Sequence, residues 1–352
     1  MRILIDILHP AHVHFFKNFY REMGERGHRL MITVRDKECS LELLDKHHLP
    51  YTLISRQKTG AVGLATEMVQ RTYRLTRVMR EFEPDVMTGI MGPSIAAAGA
   101  LRRVPAVVFY DTEFATQTNL FTYPLAHSVC TPDCYQGSVP GRHYTYAGYH
   151  ELAYLHPSHF EPDPAKLAAF GVRPGEPYSL VRFVHWQAIH DRKEVGLSLE
   201  QKLQIVELLE RYGRVLISSE GPLPDELAAR RSEGPVEDIH HLLAHAGIIV
   251  GESATMSSEA AVLGVPSVFI ATTGRGYTDD QEARYGLVRH LTEAQFEDAL
   301  EAIQDFWDDK PQAFDRDQAR QRLLQEKIDV TDWMVEYFEQ HFGRGRGRRS
   351  KR

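Results

Sequence analysis

Between two apolar runs, over residues 245–250 and 267–270, lies the segment Gly251-Glu252-Ser253-Ala254-Thr255-Met256-Ser257-Ser258-Glu259. Its residue types suit a bound phosphate. Small residues opening a helix let backbone N–H groups approach an anion, and the helix dipole favours negative charge there. Glu259 falls about a turn further in, where a carboxylate accepts hydrogen bonds from two neighbouring hydroxyls, such as a ribose diol. Ser253, Ala254, Thr255, Met256 and Glu259 are therefore candidate nucleotide-diphosphate ligands.

Other candidates follow strand ends. His12 and His14, in the loop His9-Pro10-Ala11-His12-Val13-His14, could act as a general base toward a hydroxyl; they could equally cap the following helix or pack against a loop. Asp111 and Glu113, in Asp111-Thr112-Glu113, could bind sugar hydroxyls or take a proton; the alternative is N-capping by Asp111 with Glu113 in a first helical turn. Arg182 suits a diphosphate because its donors fork onto oxygens. Beyond it, Trp186 could stack on a base or sugar. His190 and Asp191 lack a third ligand, so no metal is expected. Ser219, in Ser218-Ser219-Glu220-Gly221, could line the pocket. Tyr277 and Asp279, in a Gly-rich loop over 274–281, are candidates for sugar or base contacts, as are His14 and His190.

The elements that must position these groups repeat. Strands are expected over 2–8, 30–34, 51–54, 85–90 and 106–110, alternating with helices after residue 14 and over 40–47, 63–82 and 94–101. A turn-rich stretch over 135–175 reads as a domain junction. A second series follows: strands over 178–183, 214–218, 248–250 and 267–270, with helices over 199–212, 239–244, 257–263 and 293–306. A long amphipathic helix is expected over 317–341. The fold class is α/β: two Rossmann-like domains facing a cleft, with the C-terminal helix packing back toward the first. The expected boundaries are 1–155, 156–310, a helical segment over 311–342 and a disordered basic tail over 343–352.

The chain has 352 residues, 43% apolar and 25% charged, the balance of a soluble globular protein. Its net charge of −7 includes six cations in the last ten residues, leaving −13 for the rest. That acidity argues against a general nucleic-acid binder. Cys39, Cys130 and Cys134 form no zinc or redox spacing, which fits a reducing cytoplasm. The first residues lack a signal-peptide pattern, and no apolar run could span a bilayer. Membrane contact would be peripheral, at the inner face. Arg71, Arg74, Arg77 and Arg80 would give the helix over 63–82 a broadly basic face, favourable to a membrane-associated acceptor; a solvated face is the plainer reading.

The layout and the 253–266 segment resemble the superfamily of GT-B glycosyltransferases and UDP-N-acetylglucosamine 2-epimerases. That resemblance implies a UDP-sugar substrate, with Ser253 to Thr255 at the diphosphate and Glu259 at the ribose. Pro10-Ala11-His12-Val13 is similar to the Gly-Gly-His-Val loop of the peptidoglycan N-acetylglucosaminyltransferase, with Ala for the second Gly. The chain to about residue 340 resembles the family called domain of unknown function 354 more closely, through His9-Pro10-Ala11-His12-Val13, Asp111-Thr112-Glu113, 151–157 (Glu-Leu-Ala-Tyr-Leu-His-Pro) and Gly251-Glu252-Ser253-Ala254-Thr255-Met256. The epimerases place an Asp where this chain has Gly92-Pro93, while Glu113 matches their second acid.

The expected function is a nucleotide-sugar-dependent glycosyltransferase, with a UDP-sugar as substrate, no required cofactor, and an acceptor that could be lipid-linked, in cell-surface glycan or glycolipid synthesis. Its catalytic candidates are His12, Asp111 and Glu113. The alternatives are a 2-epimerase, hydrolysing or not, and a non-catalytic nucleotide-sugar-binding protein. An NAD dehydrogenase is disfavoured because the first turn lacks Gly-x-Gly-x-x-Gly.

Overall fold

A computed structural model of the chain describes residues 1–183, 196–219, 223–308 and 315–343. The chain divides into two compact units, Met1–His159 with Lys327–Arg352, and Phe160–Glu326.

In the first unit the chain runs β1 (Arg2–Ile7), α1 (Pro10–Glu25), β2 (Arg29–Asp36), α2 (Ser40–Lys46), β3 (Tyr51–Arg56), α3 (Gly60–Phe82), β4 (Val86–Ile90), α4 (Pro93–Arg102), β5 (Ala106–Phe109), α5 (Thr116–Thr122), β6 (Ser128–Pro132), β7 (His143–Tyr146) and α6 (Leu152–Leu155). Its strands form a parallel sheet of order β3-β2-β1-β4-β5-β6-β7. β1 is buried along five of its six residues, as a central parallel strand covered on both faces must be.

The second unit runs β8 (Tyr178–Phe183), α7 (Leu199–Leu209), β9 (Arg214–Ser219), α8 (Asp225–Ala228), α9 (Ile239–Ala244), β10 (Ile248–Gly251), α10 (Ala254–Leu263), β11 (Ser267–Ile270), α11 (Gly276–Tyr285), β12 (Val288–Leu291), α12 (Phe296–Trp307) and α13 (Arg316–Glu326). Its sheet is again parallel, in the order β12-β11-β10-β8-β9. The chain returns to the first unit in α14 (Val330–Phe342).

Several expectations need correction. The loop over 9–14 is mostly helix: α1 starts at Pro10, whose ring presets the backbone for a first helical turn, and the His9 side chain accepts from the Ala11 N–H. The stretch over 135–175 does contain the passage from the first unit to the second, between His159 and Phe160, but it is not all turns, since β7 and α6 lie in it. The Gly-rich segment over 274–281 is mostly helix, because α11 begins at Gly276. The helix over 317–341 is two helices, broken at Lys327-Ile328-Asp329, where the Asp329 carboxylate caps α14 by accepting from the Thr331 and Asp332 N–H groups. α14 does pack back on the first unit: the Phe338 ring lies 5.0 Å from that of Phe19, and the Tyr337 hydroxyl 2.7 Å from that of Ser128.

Arg71 also departs from expectation. It belongs to the buried stripe of α3 with Glu67, Leu75, Met79 and Phe82, not to an exposed basic face. Its guanidinium donates to Asp6 Oδ1 at 2.6 Å and to Ser55 Oγ at 2.7 Å, and Ser55 Oγ donates onward to Glu67 at 3.0 Å. Arg35 clamps Glu67 through two 2.7 Å bonds. A chain of charge-assisted hydrogen bonds thus fastens α3 across β1, β2 and β3.

Candidate functional site

Open parallel sheets bind ligands where the strand order reverses, because adjacent helices there diverge to opposite faces and leave a crevice at the carboxyl ends of the strands. In the second unit the reversal falls between β8 and β10. Register pairs Gly251, the last residue of β10, with Arg182 of β8, and the Glu252 N–H donates to the Arg182 carbonyl at 3.0 Å. Gly251 has φ 153°, and a Cβ there would lie 2.1 Å from the Arg182 carbonyl oxygen. Only glycine lets the two strand ends approach so closely.

α10 opens immediately beyond. Ser253 is its cap, with Oγ accepting from the Met256 N–H at 3.3 Å. The first-turn N–H groups of a helix have no partner within it, so the turn at Ala254 and Thr255 presents donors at the strand ends. Arg182 Nη1 donates to Ser218 Oγ at 3.0 Å, which ties the cation to the end of β9 beside half-buried Ser219. The structure therefore brings Arg182, Ser219, Ser253, Ala254, Thr255 and Met256 to one edge of one sheet. Glu259 lies deeper in α10, buried, with Oε1 2.9 Å from His240 Nε2 of α9. In α11, Tyr277 is buried and Asp279 Oδ1 is 3.9 Å from His290 Nδ1. Trp186, His190, Asp191, Glu220 and Gly221 lie outside the described residues, as does the basic tail.

In the first unit the reversal falls between β1 and β4. His12 stands at its edge, in the first turn of α1, where Nδ1 accepts the Leu8 N–H at 3.3 Å. Burial, reinforced by the neighbouring His9, holds the His12 imidazole well below the usual histidine range, against the opposing pull of Asp111. The ring is neutral near pH 7. With Nδ1 accepting, its proton stands on Nε2. His14, two residues on, lies on the other side of the helix; it is buried with its ring centroid 5.4 Å from that of Tyr154 and 5.9 Å from that of His47. It packs the helix.

Asp111 follows β5. Its carboxylate does not cap a helix, since α5 begins five residues later. Oδ2 lies 2.9 Å from His150 Nδ1, and Oδ1 accepts from the Thr112 hydroxyl at 3.0 Å. Burial would raise Asp111, but His150 and the Thr112 hydroxyl outweigh it and lower the carboxyl to about 2. His150 in turn stacks on Tyr146 and sits against Phe15, with ring centroids 4.5 Å apart in the latter pair. Glu113, half-buried, accepts the Gln136 N–H at 3.2 Å. Met91 and Gly92, both at positive φ, form the turn after β4 and carry no acid there.

The sequence reading did not single out His150 or His240 as partners of Asp111 and Glu259. It also missed Glu252, which is buried, accepts the Leu197 N–H at 2.8 Å and lies 3.7 Å from Lys202 Nζ. Each makes its contact with a residue at least 19 positions away, so no local spacing reveals it. Among the described residues, no group of three or more His, Cys, Asp or Glu side chains could hold a metal ion.

Comparison with known proteins agrees with this architecture. An uncharacterized protein of Methanocaldococcus jannaschii is 20% identical over 283 residues, covering 76% of this chain and 80% of that one. The UDP-GlcNAc 2-epimerase of M. jannaschii, solved in complex with UDP-GlcNAc and UDP, superposes with a TM-score of 0.68 at 12% identity over 97% of this chain and 100% of its own. MurG of Acinetobacter baumannii superposes with a TM-score of 0.58 at 14% identity, over 97% and 100% of the two chains. At such identities the likeness is one of fold, two α/β domains of GT-B type. Residues 1–151 match the family described as Protein of unknown function (DUF354), which bears out the resemblance first carried by the His9–Val13 and Asp111–Glu113 motifs.

Proposed function

We propose that the chain is a nucleotide-sugar-dependent glycosyltransferase using a UDP-sugar donor in cell-surface glycan or glycolipid synthesis. The carrying observation is the meeting of Arg182, Gly251 and the Ser253-capped start of α10 at the strand-order reversal of the second unit. A cation, a glycine permitting close backbone approach and a row of N–H donors suit a diphosphate. Solved proteins of this fold bind UDP and UDP-GlcNAc.

In this reading the second unit binds the donor, with Glu259, oriented by His240, at the ribose. The first unit binds the acceptor. The acceptor hydroxyl attacks the anomeric carbon, the bond from that carbon to the phosphate oxygen breaks, and UDP departs, stabilised by N–H groups and Arg182. The acceptor proton passes to Glu113. Asp111 is a poor base because His150 and Thr112 keep it ionised; its role is to accept a hydrogen bond from a sugar hydroxyl. His12 donates from Nε2 to an oxygen.

Transfer is favoured over epimerisation because the turn after β4 offers no acid to deprotonate a sugar. Incubation with UDP-N-acetylglucosamine alone discriminates between them. A transferase leaves it intact until an acceptor is added, whereas a new epimer or free UDP without acceptor overturns the assignment.

A further inference from the structure

The outer surface of α3, α4 and α5 has a composition unlike the rest of this acidic chain. A groove of about 470 Å³ runs between these helices, lined by Met68, Val69, Tyr73, Ala97, Leu101 and Phe121. Its walls stand in solvent: Val69 is 70% exposed, Tyr73 64% and Leu101 71%, and Leu120 beside Phe121 is 80% exposed. Contiguous exposed apolar surface of this kind marks an interaction site.

Charge says what it meets. α4 and α5 contain no carboxylate, and α3 contains two: Glu67, buried against Arg35, and Glu81, exposed in its last turn. Arg77 and Arg80 of α3 and Arg102 and Arg103 at the end of α4 are exposed. None of the four makes an ion pair or side-chain hydrogen bond among the described residues. In a chain of net charge −7, this surface combines exposed apolar side chains with four exposed arginines against one exposed acid, Glu81. A second copy meeting it about a two-fold axis would set arginine against arginine.

We infer that this surface docks on an anionic lipid bilayer, with Val69, Tyr73, Leu101 and Leu120 entering the headgroup boundary and the four arginines meeting lipid phosphates. The inference extends the proposed function by giving its acceptor side a membrane to work at. It is tested independently of that reading, because vesicle binding requires no nucleotide and nucleotide binding requires no vesicle.

The test is flotation of the full chain with vesicles of equal parts phosphatidylglycerol and phosphatidylcholine, against vesicles of phosphatidylcholine alone. The chain is expected to float with the first and not the second, and to be released by salt. V69D/L101D, both at exposed positions, should abolish flotation while leaving the circular dichroism spectrum unchanged. R77S/R80S should weaken it by roughly tenfold or more. Because the C-terminal tail is also basic, a variant with Arg344, Arg346, Arg348, Arg349, Lys351 and Arg352 replaced by serine is run alongside, and it should still float. The inference is overturned if the wild-type chain does not float, if V69D/L101D floats as well as wild type, or if the serine-tail variant alone loses binding. A dimer in solution that V69D/L101D dissociates, with no vesicle binding, also overturns it and assigns the face to a second copy.

Discussion

His150 Nδ1 lies 2.9 Å from Oδ2 of Asp111, and the two come from segments 39 positions apart that meet at the carboxyl end of the first sheet. The pair settles the charge of the candidate acceptor site. Burial alone would protonate Asp111 more readily than a free carboxyl; the imidazole and the Thr112 hydroxyl reverse that.

The sign of the resulting pH dependence follows. The folded-state pKa of Asp111 is about 2 against an ordinary value of 3.8. A depressed carboxyl stabilises the fold above its unfolded pKa and loses that contribution as pH falls through the folded one. About 2 kcal/mol should therefore disappear between about pH 4 and pH 2. His150→Phe keeps an aromatic ring against Phe15 and Tyr146 but removes the donor. Its Asp111 should titrate above the usual carboxylate range. Carbon-13 NMR titration of the Asp111 carboxyl reads this directly, and an unchanged midpoint would contradict the pairing.

His12 makes a second prediction, because a neutral ring with Nδ1 against the Leu8 N–H is a donor at Nε2. Glutamine can place an amide N–H near that position and alanine cannot. Relative to wild type, His12→Ala should lower kcat by about 100-fold. His12→Gln should recover roughly tenfold of that loss. Equal activity of the two variants would instead point to His12 as the base.

How far the sequence reveals such a site depends on the range of the contacts. The β1-α1-β2 unit is legible because its signals are local: an apolar run, then Pro10, then Phe15, Phe16, Phe19 and Met23 on one helical stripe, then Gly27 at φ 83°. α10 is legible for the same reason, with Ser253 capping one end and Gly264 closing the other. α11 is not. Its buried face carries Thr278 and Gln281 beside Tyr277 and Tyr285, so no apolar periodicity shows, and Gly274 and Gly276 suggest a loop. Arg71 illustrates the harder limit. On a helix its charge reads as surface, and only the fold brings it to Asp6, 65 positions away.

That buried pair predicts a stability loss. Arg71→Met leaves the buried Asp6 carboxyl without its guanidinium partner, which should cost about 3–5 kcal/mol. Adding Asp6→Asn should restore part of it. Urea denaturation of the two variants measures both effects, and a loss under about 1 kcal/mol for Arg71→Met would mean that the network does not fasten α3.

Gly251 tests the geometry of the donor side. Alanine there must place its Cβ on the Arg182 carbonyl in a backbone conformation that side chains rarely adopt. Gly251→Ala should destabilise the chain by more than about 2 kcal/mol and weaken nucleotide binding together with stability. Wild-type denaturation and affinity in this variant would show that β8 and β10 do not approach as described.

The assignment of the second unit to a nucleotide diphosphate is tested most directly by titration calorimetry of UDP and a panel of UDP-sugars into the full chain. The account predicts saturable binding in the micromolar range, weakened at least tenfold by Arg182→Ala and by Glu259→Gln. Absence of binding by UDP and every UDP-sugar to the folded wild-type protein would contradict it.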